Sequence, residues 1–317
     1  MRDISGKSTS LRTAKAMALV QCSEQALEKV KTDNLPKGNM LDVGRASGFL
    51  GAKNTHMLIP HCHPVSIDAL DISYELIEPE HSIEEVEGLN VDYGIAIIAE
   101  GKSIDRTGIE MEILTAVSVT ALTIYDLLKP LGDEVEISNT KLLNKTGGKS
   151  NMRAMVGREN KSAVLICSDS VAAGRKDDRA GPIIQHLLEE QGGSIVDFKV
   201  LPDTPEAVQA QLKEWAGRNI PFIFTVGGTG LGATDTVCEA VQEVIERETP
   251  GVIDAMELHG LQRTPLAMMS RLTAGIYKKS LIVTLPGSSD GLRQSLEGIL
   301  PGVFYAKKML RAARVKS

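Results

Sequence analysis

The sequence predicts two domains. The first is an α+β domain built on a ferredoxin-like antiparallel sheet with helices, and the second is an α/β domain of three layers around a mostly parallel sheet. Three observations predict this. A chain of 317 residues is long enough for two domains of ordinary size. The stretch 145–162 is polar, contains glycine and is weakly periodic, as at a domain boundary. The hydrophobic pattern also changes there, so we expect domains at 1–150 and 161–317 with a linker at 151–160.

The spacing of apolar residues predicts the elements of the first domain. Leu11, Ala14 and Ala18 are spaced as on one face of a helix. The alternation that includes Ile67 changes phase before Ile72, which is typical of a β-bulge. We expect, in order, a helix at 10–31, a bulged strand at 65–76, a strand at 89–99, a long apolar helix at 109–129 and a short strand at 135–143. This order indicates an antiparallel sheet with helices on one face.

Short apolar runs alternate with helical stretches in the second domain. The expected strands are Ala163–Cys167, Ile195–Val200, Phe222–Val226 and Leu281–Leu285, and the expected helices are 179–191, 205–217, 235–247 and 289–312. Alternating strands and helices predict a parallel sheet covered on both faces. Ligands of such sheets bind at the carboxyl ends of the strands.

The distribution of charge argues against two classes of partner. Residues 1–150 carry 15 basic and 22 acidic side chains, and no basic residue lies between Asn54 and Gly101. A nucleic-acid surface is therefore not expected. No stretch approaches the ~20 uncharged apolar residues of a membrane span, and the N-terminus lacks an apolar signal core, so we expect a cytoplasmic protein without a membrane partner. An anionic substrate would need local basic groups, of which candidates are Arg12, Lys15, Lys37, Arg45, Lys53, Lys141, Lys145 and Lys149.

Two polar motifs of the first domain could carry chemistry. His61, Cys62 and His63 lie together before a strand, where they could bind a metal, fix a loop or contact a substrate. A metal needs three or four converging ligands, and no second cluster is evident apart from His56. Asp126 and Lys129 are three apart near the end of the long helix and share a face, either as a surface ion pair or, if the helix is buried, as a proton-exchanging pair.

Residues 1–150 resemble the cyclic pyranopterin monophosphate synthase (MoaC) family over their whole length. The segments that carry the resemblance are Lys37-Gly38, Ile59-Pro60-His61-Cys62-His63-Pro64, Thr107-Gly108-Ile109-Glu110-Met111-Glu112, Ala121-Leu122-Thr123-Ile124-Tyr125-Asp126 and Lys145-Thr146-Gly147-Gly148-Lys149-Ser150. His61 departs from the leucine that the family usually has. The resemblance implies a lyase that converts 3′,8-cyclo-7,8-dihydroguanosine 5′-triphosphate into cyclic pyranopterin monophosphate and pyrophosphate without a cofactor. The implied catalytic residues are Asp126, Lys37 and Lys129, and the implied substrate-binding residues are His61, Cys62, His63, Met111, Glu112, Lys53 and Lys149.

Two glycine-rich turns follow strands of the second domain. Gly227–Gly230 and Pro286–Ser288 each precede a helix, where backbone N–H groups can bind an anion, although such turns are often only tight turns. Asp203 ends another expected strand, and Asp235 is either a helix N-cap or a functional carboxylate. Carboxylates beside phosphate are unfavourable unless a divalent cation lies between them, so Asp203 and Asp235 suggest a Mg²⁺ site.

Residues 161–312 resemble the MogA/MoaB family of molybdopterin adenylyltransferases and their relatives. The resemblance is carried by Ser168-Asp169-Ser170, Asp178-Arg179-Ala180-Gly181-Pro182, Gly227-Gly228-Thr229-Gly230 and Leu285-Pro286-Gly287-Ser288. It implies molybdopterin binding and adenylation with ATP and Mg²⁺, with Asp203 and Asp235 catalytic and Ser168, Gly228, Thr229, Gly230, Gly287 and Ser288 binding substrate. Val237 and Cys238 stand where the family has a threonine and a proline, so a non-catalytic pterin-binding module is the alternative.

Taken together, the resemblances imply a multifunctional enzyme of molybdenum cofactor biosynthesis with pterin and nucleotide substrates. They also imply a hexameric first domain with sites shared between subunits and a trimeric second domain. Both symmetries contain a threefold axis, so we expect a homohexamer of roughly 200 kDa.

Overall fold

The computed structural model describes residues 1–35, 39–81, 83–89, 91–132 and 134–312. The chain divides into two compact units, Met1–Gly148 and Lys149–Ser317. Lys37, which the sequence predicts to be catalytic, lies outside the described residues.

The first unit is a four-stranded antiparallel sheet with helices, as predicted. The strands follow the order β2-β3-β1-β4, and each neighbouring pair is antiparallel. The elements are β1 (Ser10–Gln21), α1 (Glu24–Lys31), α2 (Met40–Lys53), α3 (Thr55–Leu58), β2 (Ala69–Ile77), β3 (Gly94–Asp105), α4 (Glu110–Leu128) and β4 (Glu136–Thr146).

The helix predicted at 10–31 is wrong in its first half, which forms β1. This strand pairs with β3 on one side and β4 on the other, and it is buried on both faces. Ala16 and Ala18 pack into one apolar cluster, whereas Met17 and Leu19 pack into another. Alanine favours a helix in isolation, but a central position in a sheet overrides this preference.

The β-bulge predicted within 65–76 is also wrong. β2 begins at Ala69 and pairs with β3 in an unbroken register from Ala69 opposite Lys102 to Ile77 opposite Gly94. The change of phase therefore marks the start of the strand. β3 begins at Gly94, five residues later than predicted, because Leu89 lies in a loop that packs against the sheet.

α4 is the core helix of the first unit. It packs against α2, where the hydroxyl of Thr120 donates to the carbonyl of Gly44 at 3.1 Å. A Cβ at Gly48 would lie 2.3 Å from the Thr120 hydroxyl, so a glycine is required for this close approach. The segment Glu110–Leu131 is the one helix among the described residues whose length and composition would suit a membrane span. Half of it is buried inside the protein, which is ordinary for a core helix.

The second unit has a six-stranded sheet in the order β6-β5-β7-β10-β9-β8. Strands β6, β5, β7 and β10 are parallel, and β9 and β8 form an antiparallel edge. The elements are α5 (Gly148–Val156), β5 (Asn160–Cys167), α6 (Asp169–Ala172), α7 (Ala180–Glu190), β6 (Gly193–Leu201), α8 (Pro205–Gly217), β7 (Phe222–Val226), α9 (Val237–Gln242), β8 (Arg247–Glu248), α10 (Pro250–Leu261), β9 (Ala274–Tyr277), β10 (Ser280–Leu285), α11 (Ser289–Ile299) and α12 (Ala306–Ala312).

Two apolar clusters cover the two faces of this sheet. One includes Phe224, Ile184 and Leu296, and therefore joins α7 and α11 to the sheet. The other includes Ile223, Trp215 and Val241, and joins α8 and α9 to the opposite face. The structure therefore confirms the three-layer arrangement predicted from the alternating pattern.

Three segments of the second half differ from the predictions. The linker expected at 151–160 contains most of α5, and Met152 and Val156 of that helix pack on the apolar core. The helix expected at 289–312 ends at Ile299, before Leu300-Pro301, since proline cannot continue a helix. The helix expected at 235–247 is limited to α9.

Candidate functional sites

Glu112 and Cys62 form the centre of one polar cluster in the first unit. Glu112 is on the first turn of α4 and is 4% exposed. Burial raises the pKa of this carboxyl, and the nearby Glu110 and Asp105 raise it further. Burial also raises the pKa of the Cys62 thiol, with Glu112 as the second cause. The structure thus brings together two of the predicted substrate-binding residues.

The remaining residues around this cluster are more exposed. Met111 and His61 point to solvent, and His63 is partly buried, with its Nε2 2.8 Å from the carbonyl oxygen of Arg2. No group of three His, Cys, Asp or Glu side chains suited to a metal ion occurs anywhere in the described ranges.

Basic residues lie beside the start of α4. The ammonium of Lys145 is 2.7 Å from Oε1 of Glu110. Burial is the largest single effect and acts to raise the pKa of Glu110, but the hydrogen bonds from Lys145 and the backbone, together with the charges of Lys145 and Arg12, lower the pKa overall. The Arg12 guanidinium donates to the carbonyls of Asp105 at 3.4 Å and Arg106 at 3.3 Å. These cations give this end of α4 groups that can attract phosphate.

Asp126 and Lys129 lie at the other end of α4. Their Oδ1 and Nζ atoms are 2.7 Å apart, and the side chains are 51% and 56% exposed. The hydrogen bond that Lys129 donates to Asp126 raises the pKa of Lys129, which therefore remains protonated at neutral pH. Within one chain the pair is a surface ion pair, which is the first of the two alternatives that the sequence left open. The apolar residues before the pair, such as Ile124, are buried, whereas the side chains of the pair are on the exposed side of the helix.

The predicted catalytic and substrate-binding residues of the first unit are far apart in one chain. Glu112 and Asp126 are separated by fourteen positions of a continuous helix, or about 21 Å at 1.5 Å per residue. Lys53 is exposed at the last position of α2. Lys149 belongs to the second unit, where burial lowers its pKa despite the carboxylates of Glu297 and Glu190.

The carboxyl ends of four parallel strands converge in the second unit. Ser168 follows β5, and its N–H donates to the carbonyl of Leu201 at the end of β6 at 3.0 Å. The N–H of Gly227, after β7, donates to the carbonyl of Leu285 at the end of β10 at 3.0 Å. A Cβ at Gly287 would lie 3.3 Å from the Gly227 Cα. The two glycine-rich turns predicted from sequence are therefore adjacent.

Gly228 joins the glycine-rich turn to Asp203. Its φ is +63°, and a Cβ there would lie 2.6 Å from Oδ1 of Asp203 and 2.3 Å from Val237. Only glycine fits this position. Thr229 is buried and its carbonyl accepts from the backbone N–H of Arg271 at 2.9 Å, while Gly230 is partly exposed. Ser288 is the N-cap of α11, and its hydroxyl accepts from the N–H of Gly291.

An unbalanced negative charge lies beside these turns. Oδ1 of Asp203 is buried and has no hydrogen-bond partner among the described residues. Burial, followed by the charges of Asp169 and Asp235, raises the pKa of Asp203 to about 6. Asp235 is not the N-cap of α9, which is Thr236; its carboxylate instead accepts from the N–H of Gly232 at 2.9 Å. Asp203 and Asp235 are thus close enough for their charges to interact.

The first turn of α9 shows what the Val237-Cys238 pair does. Both side chains are buried, and Val237 packs in the apolar cluster under the sheet. The Cys238 thiol donates to the carbonyl of Arg271, and burial raises its pKa. Thr236 supplies a hydroxyl near the site, and it donates to the carbonyl of Asp203 at 3.2 Å.

Comparison with known proteins divides the chain in the same way. The MoaC family matches residues 1–148, and a probable molybdopterin binding domain matches residues 163–304. A molybdenum cofactor biosynthesis bifunctional protein of Chlorobaculum tepidum is 36% identical over 311 residues, which cover 98% of this chain and 94% of that protein. The chain belongs to the family of molybdenum cofactor biosynthesis bifunctional proteins.

Further relatives of the bifunctional family and of its parts are similar to this chain. A bifunctional protein of Synechococcus elongatus is 30% identical and covers 99% of this chain and 98% of its own length. A cyclic pyranopterin monophosphate synthase of Bacillus subtilis is 41% identical over 47% of this chain and 82% of its own length. A crystal structure of the molybdopterin biosynthesis enzyme MoaB from Thermus thermophilus is 35% identical, with a TM-score of 0.44, over 47% of this chain and 96% of its own.

Arg271 is a residue of the candidate site in this bifunctional family member that the sequence did not predict. Its Nε donates to the carbonyl of Gly230 at 2.8 Å, and its other nitrogens contact the carbonyl of Asp235 and the carboxylate of Glu239. One side chain therefore joins the end of the glycine-rich turn to the start of α9. Arg271 stands in no recognisable motif and is about forty positions from the turn, so no local signal identifies it.

Proposed function

We propose that the first unit converts 3′,8-cyclo-7,8-dihydroguanosine 5′-triphosphate into cyclic pyranopterin monophosphate and pyrophosphate. The Asp126–Lys129 pair carries this proposal. An exposed lysine whose pKa is raised by a carboxylate can neutralise phosphate, and the carboxylate of Asp126 can accept a proton from the substrate. The relatives of this unit that are named cyclic pyranopterin monophosphate synthase support the assignment.

The complete lyase site requires two subunits in this proposal. The catalytic pair and the Cys62–Glu112 cluster lie at opposite ends of α4, about 21 Å apart. A second α4 running in the opposite direction would bring one pair beside the partner's cluster. Exposed apolar side chains on α2 and α4, including Leu50 at 63% and Leu122 at 60%, support burial against another subunit. A hexamer built from three such dimers is the assembly we propose.

The second unit, in our proposal, binds molybdopterin and adenylates it with ATP and Mg²⁺. The buried oxygen of Asp203 that has no hydrogen-bond partner among the described residues carries this proposal. The carboxylates of Asp169 and Asp235 lie near it, so negative charge accumulates there. The residues fit a magnesium ion that takes one or two carboxylates and completes its coordination with phosphate and water. The glycine-rich turns would bind the phosphates through backbone N–H groups. When bound, the ion would neutralise charge on the transferred group.

A non-catalytic pterin-binding module remains the second candidate for this unit. It is favoured by Val237 and Cys238, whose buried side chains offer no hydroxyl to a phosphate. An assay of AMP transfer to molybdopterin, dependent on ATP and Mg²⁺, distinguishes the two candidates in the intact chain. Since both proposed reactions use nucleotide metabolites, we expect the protein to act in the cytoplasm.

A further inference from the structure

A basic cleft lies at the end of the second unit opposite the candidate site. It has a volume of about 610 Å³. Lys161 is at the start of β5, Pro221 precedes β7 and Lys279 precedes β10, so the cleft is at the amino-terminal edge of the parallel strands. Asp203 and the glycine-rich turns follow the carboxyl ends of these strands. Even the five-residue β7 separates the two ends by about 15 Å.

Four cations line this cleft and are not balanced by acids. Lys161, Lys279, Lys307 and Arg311 contribute positive charge, and Glu159 is the one acidic residue of the lining. None of the four cations forms an ion pair with another side chain in the part of the chain that the structure describes. Lys307 donates to the carbonyl oxygen of Glu159, which fixes its ammonium group at the cleft.

The cations destabilise one another in the absence of an anion. Burial lowers the pKa of Lys307, and the charges of Arg311 and Lys161 lower it further, against the opposing effect of Glu159. A bound anion would reverse this repulsion. Leu310 and Pro221 provide apolar surface, and Asn219 provides an amide, so the cleft offers contacts for more than a lone ion.

We propose that this cleft binds a phosphorylated small molecule of up to nucleotide size, at a site separate from the molybdopterin-binding end of the sheet. Its volume is within the range of roughly 300–1,000 Å³ that is usual for small-molecule pockets. Lysine ammonium groups bind phosphate as point charges, and several of them suit a di- or triphosphate.

Calorimetric titration of the full chain with inorganic pyrophosphate in EDTA tests the proposal. EDTA removes divalent cations, so binding through a metal at Asp203 does not contribute, and pyrophosphate bound as a product in the first unit is not affected by substitutions in the cleft. We expect saturable binding that weakens at least tenfold in the double variant Lys161→Glu/Lys279→Glu. Both side chains are exposed, so the substitutions should leave the fold intact. Lys213→Glu, which makes the same substitution once at an exposed position of α8, is the control and should bind as the wild type does.

Two results would overturn the proposal. One is the absence of saturable binding to the wild type, and the other is equal affinity in the wild type and the double variant, which would locate the anion elsewhere. A thermal unfolding midpoint shared by all three proteins excludes loss of structure as the reason for weaker binding. The AMP-transfer assay is independent of this titration, so the cleft and the proposed function can fail separately.

Discussion

The Lys129 ammonium lies 2.7 Å from Oδ1 of Asp126, on the exposed end of a helix whose other end carries the buried Glu112. The two ends of α4 therefore differ in chemistry. One has a solvent-exposed carboxylate–ammonium ion pair, and the other has a partly buried cluster with raised carboxyl and thiol pKa values. This difference between the two ends of α4 is the basis of the predictions for the first unit.

Asp126→Asn should lower cyclic pyranopterin formation by about 10²–10⁴-fold, because the variant loses a proton-transfer group. The side chain is exposed, so the thermal unfolding midpoint should change little. Asp42→Asn is the matched control, since Asp42 forms an exposed i,i+3 pair with Arg45 at 3.3 Å on α2. Equal turnover by wild type and Asp126→Asn would remove this pair from the mechanism.

Mixed oligomers test whether the lyase site is shared. Asp126→Asn and Glu112→Gln should each be inactive alone. After unfolding and refolding together, a fraction of sites would combine an intact Asp126 from one chain with an intact Glu112 from another, and activity should return in part.

Light scattering of the purified protein should give a mass of about 200 kDa, as for six chains of 34.1 kDa. A stable monomer, or no recovery in mixtures that do form mixed oligomers, would contradict a shared site.

The stability of the second unit should depend on pH through Asp203. The pKa of this carboxyl rises to about 6 in the folded protein from an ordinary value of 3.8. The folded state therefore holds the proton more tightly, and stability is lost as pH rises from about 4 to about 6. Asp203→Asn should raise the unfolding midpoint at pH 7.5 and have little effect at pH 4. The same stabilisation at both pH values would show that the raised pKa is not its cause.

Arg271→Ala should reduce AMP transfer about 10–100-fold, because it removes the bonds to Gly230 and Asp235 that fix the glycine-rich turn. Glu239→Gln is the control, since it weakens one contact of Arg271 and leaves those to the turn in place. We expect the Michaelis constant for ATP to rise in Arg271→Ala more than in Glu239→Gln. A uniform loss of folded protein in both variants would indicate a purely structural role.

Much of the fold can be predicted from the sequence, and the exceptions have physical causes. The pattern predicts β7 and α4 almost to their ends, because a short apolar run or a long apolar helix permits few alternatives. It predicts a helix at β1 because alanines such as Ala16 carry helix propensity, whereas the strand pairing depends on β3 and β4, which are distant in sequence. It predicts a linker at α5 because Met152 and Val156 gain an apolar face only against the folded second unit.

The sequence predicts the candidate sites unevenly for a similar reason. The glycine-rich turns and Asp203 follow strands of a parallel sheet, so topology alone brings them together. Asp126 and Glu112 share a helix, yet the sequence alone leaves open whether the Asp126–Lys129 pair at its end is exposed or buried. Arg271 contacts its turn only through the tertiary fold, and no pattern in the sequence could identify it.

The most direct test of the account is a measurement of both reactions in three full-length proteins: the wild type, Asp126→Asn and Asp235→Asn. Cyclic pyranopterin formation and Mg²⁺-dependent AMP transfer to molybdopterin would be assayed in each. We predict that Asp126→Asn loses the first activity and keeps the second, and that Asp235→Asn does the reverse while binding molybdopterin as tightly as the wild type or more tightly, since one charge facing phosphate is gone. A wild type without AMP transfer, or a variant that loses both activities while remaining folded, would contradict two independent sites on one chain.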